Sequence, residues 1–185
     1  AVVHGAFAHV FLGMLIVLAV LLSRAWQQRG GLEAAGRPAD RVAGAVALAA
    51  LLLQLVVGAM LRHYGGHLPL VLHILGAMVV AGAVGTLAFR AWGLSEHSPL
   101  LQRLGGLLLV GLGLQIMLGF GALVAVGTVA VREPNPLQVL VTTAHQSLGA
   151  LLLALTTAIT AWCVPAPAAP EPASPMAGLP VRSPQ

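Results

Sequence analysis

Residues 68–92 read LPLVLHILGAMVVAGAVGTLAFRAW, 25 residues in which Arg90 is the one permanently charged side chain. About 20 helical residues cross the hydrocarbon core of a bilayer, so this stretch is long enough to span it. Apolar and polar side chains do not alternate along it as they would in a half-buried strand, and a membrane barrel would need many more such segments. Four other runs share its character: Val2–Leu22 and residues 42–61, 104–131 and 137–164. The sequence therefore predicts an all-α, polytopic membrane protein with five transmembrane helices.

Composition agrees. Of 185 residues, 58% are hydrophobic and 8% charged, with mean hydropathy +0.94. A soluble domain carries roughly a quarter charged residues. All nine basic residues are arginine and the formal charge is only +4, so the high pI reflects scarce acids rather than a basic face. Without a basic patch and interleaved aromatics, nucleic acid is excluded as a partner. The single cysteine, Cys163, excludes an intrachain disulfide and a CxxC site. Glycines inside the runs (Gly76, Gly82, Gly85, Gly111, Gly113, Gly119, Gly121) suit close helix packing in a membrane. The chain starts at Ala1 within an apolar run, which suggests a piece of a longer protein.

Arginine placement orients the spans. Arg24, Arg29, Arg37, Arg41, Arg90, Arg103 and Arg182 fall on one side, Arg62 and Arg132 on the other. The positive-inside rule puts the first group in the cytoplasm and the N-terminus outside. The expected location is a bacterial-type inner (plasma) membrane. The tail, residues 165–185, is rich in proline and alanine and reads as disordered and cytoplasmic.

That orientation sorts the histidines. His4, His9, His63, His67, His73 and His145 fall in the outer half or its loops, and His97 alone is cytoplasmic. His73 lies about 8 Å into the third span and His145 about 12 Å into the fifth, at 1.5 Å per residue. Both spans start at the outer face, so the two imidazoles reach a similar depth. Histidine within a span is costly and usually faces the bundle interior. Two at one level can hold a metal ion or a heme iron between them. Small neighbours, Gly76 and Ala77 after one and Gly149 and Ala150 after the other, leave room for a flat macrocycle. No carboxylate or thiol accompanies the pair, so tetrahedral zinc is poorly supplied. The plainer alternative bonds each histidine to a serine, threonine or backbone carbonyl on a neighbouring helix.

Other polar residues have two readings each. Gln54 and Gln115 suit interhelical hydrogen bonds or the positioning of a heme edge. His63 and His67, in RHYGGH, are either solvated at the interface or close to the site. Arg62 and Arg132 either neutralise heme propionates or snorkel to the interface. His9 lies about 140° around the helix from His4, so both cannot face one iron.

An internal repeat runs through the spans. Gln54-xxx-Gly58 in LLLQLVVGAMLR recurs as Gln115-xxx-Gly119 in GLGLQIMLGFGALVA. Each precedes a short outer loop and a histidine helix, LHILGAMVVAG or AHQSLGALLLA, with a histidine-to-glycine spacing of three in one and four in the other. VVHGAFAHVFLG aligns with TAHQSLGALLLA, placing His4 over His145 and Ala8 over Gly149. The expected organisation is a four-helix heme-binding transmembrane bundle over residues 42–164, preceded by one additional N-terminal transmembrane helix, residues 1–23, that completes an absent bundle.

These segments resemble the C-terminal portion of the heme A synthase family. HGAFAH, LLLQLVVGAMLRH, VLHILGA, LQIMLGFGA and TTAHQSLGALLLA carry the resemblance, in the family's order, over most of residues 2–160. It implies two similar four-helix bundles, each binding heme between histidines near the outer face. His73 and His145 would then be the axial ligands of a heme b in this bundle, and His4 would be a ligand in the N-terminal one. The family oxidises the C8 methyl group of heme O to a formyl group, giving heme A for cytochrome oxidase. Heme O would be the substrate, and heme O synthase or cytochrome oxidase assembly factors the candidate partners, with a homo-oligomer left open. The family's glutamate–histidine motif in its N-terminal bundle has no counterpart here, and no catalytic residue is assigned. The competing readings are a non-enzymatic b-type cytochrome subunit relaying electrons from quinol, and a structural or transport bundle without heme.

Overall fold

The computed structural model describes residues 2–28, 37–93, 98–127 and 136–165. The expected disordered tail, apart from Pro165, lies outside the described residues, as do Arg29, His97, Arg132 and Arg182. Six helices follow in order: α1 (Val2–Leu22), α2 (Arg24–Gln27), α3 (Pro38–Tyr64), α4 (His67–Gly93), α5 (Pro99–Gly127) and α6 (Pro136–Trp162). All but α2 are long and apolar enough to cross a membrane. The chain is an all-α, multi-pass membrane protein.

Three of the long helices begin before the first apolar residue, each on a proline. Proline lacks an N–H that the first turn would leave unused, and its fixed φ is already helical. Pro38 is backed by Asp40, whose Oδ2 accepts the Arg37 N–H at 2.8 Å. Between α3 and α4 the chain turns through Gly65 and Gly66, with φ of 64° and 92°. Backbone with φ in that range is open to glycine and strained for other residues, so RHYGGH makes a hairpin with almost no loop. Ser23 Oγ accepts the Trp26 N–H at 3.2 Å and opens α2, a turn absent from the sequence reading, which folds Trp26 into the core.

α3 packs on α4, α4 on α5, α5 on α6, and α6 back on α3, closing a four-helix bundle. α1 lies outside it, against α6 and α3. Phe7, Met78 and Met117 are 71%, 69% and 70% exposed. Apolar surface of this extent belongs against lipid rather than water.

Burial is uneven along the bundle. The core gathers Ala47, Leu51, Val84, Leu87, Ala88, Leu108, Leu152 and Ile159, with Trp26, Leu101 and Trp162 closing one end. Asp40, 2% exposed, accepts from Arg90 Nε at 2.6 Å and ties the start of α3 to the end of α4. Beyond Leu51 on α3 and Gly111 on α5, and ahead of Val80 on α4 and Gly149 on α6, no described residue of the bundle is buried. Fully buried residues occupy one half of the bundle. The other half is more open, its described residues all half-buried or exposed.

Within the packed half, helix contact is close enough to exclude a methyl group. A Cβ at Gly105 would stand 2.6 Å from Trp92 N and 2.7 Å from Ala88 O, both backbone atoms. At Gly106 a Cβ meets nothing within 4 Å. Gly105→Ala is therefore expected to lower stability by ~1–3 kcal/mol, the usual range for overpacking, while Gly106→Ala leaves it unchanged. Unfolding by sodium dodecyl sulfate in mixed micelles measures both, and equal effects would contradict this packing.

Candidate functional site

At the floor of the open half, one histidine from α4 and one from α6 face each other. The ring centroids of His73 and His145 are 6.3 Å apart, with the planes 74° from parallel. Both side chains are half-buried. They come from diagonally opposed helices, so they meet across the bundle axis rather than at a helix–helix seam. His73 is six residues from the start of α4 and His145 nine from the start of α6.

Each ring rests on a glycine of the preceding helix. A Cβ at Gly58 would approach His73 Cε1 to 3.0 Å, and one at Gly119 would approach His145 Cε1 to 3.2 Å. One turn earlier on the same helices stand Gln54 and Gln115. Gln54 Nε2 donates to the His73 carbonyl at 2.8 Å and lies 3.1 Å from His73 Nδ1. Gln115 Nε2 lies 3.5 Å from His145 Nε2. The repeat thus places a glutamine and a glycine from one helix around a histidine on the next, twice.

The glycines that follow the histidines complete the interlock. A Cβ at Gly76 would fall on Gln54 Oε1, and one at Gly149 would stand 3.4 Å from Gln115 Nε2. The spaces expected beside a macrocycle are taken by amides. The unequal spacing of three and four residues is no obstacle, because positions i+3 and i+4 share one face of a helix. The sequence reading found both Gln-xxx-Gly segments but not the seating of each ring on its glycine.

Two buried polar atoms here lack a hydrogen-bond partner, Gln115 Oε1 and His145 Nδ1. A buried polar atom left so costs ~1–3 kcal/mol, and such atoms are normally satisfied by protein, water or a ligand. Among the described residues no three histidine, cysteine or acidic side chains converge, so a chelated ion would find too few donors. An axial pair on a ligand that brings its own equatorial donors is the chemistry these two imidazoles can offer.

The remaining expected site residues lie elsewhere. Arg62, exposed at the end of α3, donates through Nη1 to Gln146 Oε1, the neighbour of His145. His63 and His67 are exposed at the hairpin. His4 is exposed on α1, where His9 Nδ1 donates to the Gly5 carbonyl at 2.7 Å. Asp40 is the one described acidic residue, and it lies at the opposite end of the bundle from the pair.

No family model, curated protein or solved structure matches this chain.

The interlock yields a test of its own. Gly76→Ala must displace the Gln54 amide from His73, at a cost of ~1–2 kcal/mol for intramembrane hydrogen bonds. Gly82→Ala, with open space around its Cβ, is expected to be neutral. Thermal unfolding in detergent compares the two, and a neutral Gly76→Ala would mean that the amide is not held there.

Proposed function

We propose that this chain is a heme-binding membrane bundle of a heme A synthase-like oxidoreductase, with His73 and His145 as the axial ligands of a heme b. The observation that carries the reading is the meeting of these two imidazoles across the bundle axis. Taking the ~2 Å zinc–imidazole bond as the scale for a first-row ion, two bonds plus ~1 Å from nitrogen to each ring centre span about 6 Å. The centroids stand 6.3 Å apart. The atoms left without partners, His145 Nδ1 and Gln115 Oε1, lie at the same place. Arg62, at the mouth of the open half, is the described cation suited to a cofactor carboxylate.

Bound between two imidazoles, a heme supplies one-electron transfer. The chain's own part is to hold the ligand rings, keep water from them with apolar walls, and set their hydrogen bonds. Oxidation of the heme O methyl group, with heme O as substrate, follows from the resemblance of HGAFAH, VLHILGA and TTAHQSLGALLLA to the heme A synthase family. Under this reading, the His4 segment serves a second bundle. A second reading is a b-type cytochrome subunit that relays electrons without modifying heme. It is favoured by the absence, among the described residues, of a carboxylate near the pair to move protons.

The proposed orientation puts the N-terminus outside and the site near the outer face of a bacterial-type plasma membrane. Among described residues Arg24, Arg37, Arg41, Arg90 and Arg103 lie at the packed end and Arg62 at the open end, as the positive-inside rule requires.

The reduced-minus-oxidised spectrum of the purified protein tests the cofactor: a sharp cytochrome α-band is expected, and His73→Ala or His145→Ala each abolishes it. Unchanged ligation in both variants would discard the pair. Supplying heme O during expression and extracting the porphyrin tests the chemistry, since heme A appears under the first reading and heme O persists under the second.

A further inference from the structure

The two halves of the site repeat in sequence but not in hydrogen bonding. Gln54 makes two contacts with His73, through a single amide nitrogen that can only donate. His73 Nδ1 must accept, so the ring proton sits on Nε2, and the same amide grips the backbone beneath the ring. Gln115 makes one contact with His145, at 3.5 Å, the limit of a hydrogen bond. Its Oε1 is bare, and so is His145 Nδ1. If His145 Nε2 accepts from Gln115, the proton lies on a buried Nδ1 with no acceptor. If the proton lies on Nε2 instead, Gln115 Nε2 loses its acceptor and the buried Nδ1 still lacks a donor. Neither tautomer is satisfied in this orientation, and nothing holds the ring in one of them.

We infer that Gln54 and Gln115 are positioning residues for the histidine pair and hold it unequally, with His73 held in one tautomer and His145 in neither. The inequality is tertiary in origin. Oε1 of Gln54 nests over Gly76, three residues beyond its histidine, whereas Gln115 meets Gly149, four beyond, through its nitrogen. The amide is therefore presented to the two rings in different poses. Should His73 Nε2 take a ligand, the ring proton moves to Nδ1, and the Gln54 amide turns over to accept it through Oε1, releasing the His73 carbonyl. Where the pair ligates a heme, as the proposed function holds, His145 is the side that yields to a small external ligand such as carbon monoxide.

The tautomers can be read without any cofactor. In the full chain labelled with 15N-histidine and held in lipid nanodiscs, His73 is expected as a single Nε2–H form and His145 as an exchanging mixture. Gln54→Ala should convert His73 to a mixture and leave His145 as it was. A mixed His73 in the unaltered chain, or a His73 indifferent to Gln54→Ala, overturns the inference. In the heme-loaded chain, carbon monoxide should displace His145 and leave His73 on the iron, and Gln54→Ala should allow either histidine to be displaced, as 15N-histidine signals report. Gln54→Glu, which offers an acceptor to Nδ1–H, should restore displacement of His145 alone, as a merely structural role would not. Displacement of His73 in the unaltered chain also overturns the inference. A chain that takes up no heme sinks the proposed function, and the tautomer measurement then still decides this inference.

Discussion

Inside hydrocarbon a polar group has no water to bond with, and each one must be satisfied by the protein or bear the cost. Most of this chain's intramembrane hydroxyls meet that demand locally. Thr86, Thr157 and Thr160 each donate back to the carbonyl four residues earlier at 2.7 Å. His9 does the same to the Gly5 carbonyl, whereas Gln54, Gln115, His73 and His145 bond across helices. Gln54 and His73 do so through two contacts, which join α3 to α4. Gln115 and His145 do so in part. Thr156 Oγ1, wholly buried without a partner, is the exception for which the structure offers no explanation.

The same constraint accounts for the division of the bundle into halves. In the packed half, small residues let backbones approach, and association rests on shape. Thr160 sits against Gly44, where a Cβ would come within 2.5 Å of its Oγ1. Asp40 and Arg90 cancel each other's charge at the end of that half, where a lone buried carboxylate would be costly. In the open half amides and imidazoles join the hydrocarbon side chains in the helix contacts, with Leu55 against Gly149 and Val141 against Gly121.

Much of this was legible in advance. Five spans, a short connection between the second and third, and the common level of His73 and His145 follow from run length and depth along a helix. The helix starts at Pro38, Pro99 and Pro136 were displaced in the reading, because hydropathy marks where lipid begins rather than where hydrogen bonding does. Asp40 and Trp26 were passed over: nothing in a polar loop distinguishes the acid or indole that will be buried from those that stay in water. Gly58 and Gly119 carried a signal in their spacing from the glutamines, though not the identity of what they touch.

What the sequence determined by itself is the class of molecule, its helices and the level at which two imidazoles stand, since these depend on composition and on distances along one chain. The tertiary structure alone decided which glycine faces which ring and that one glutamine grips its histidine while the other barely reaches. It also decided that fully buried residues gather in one half of the bundle and not in the other. Those outcomes turn on rotations of neighbouring helices by a fraction of a turn, and no pattern along a single helix records its rotation against the next.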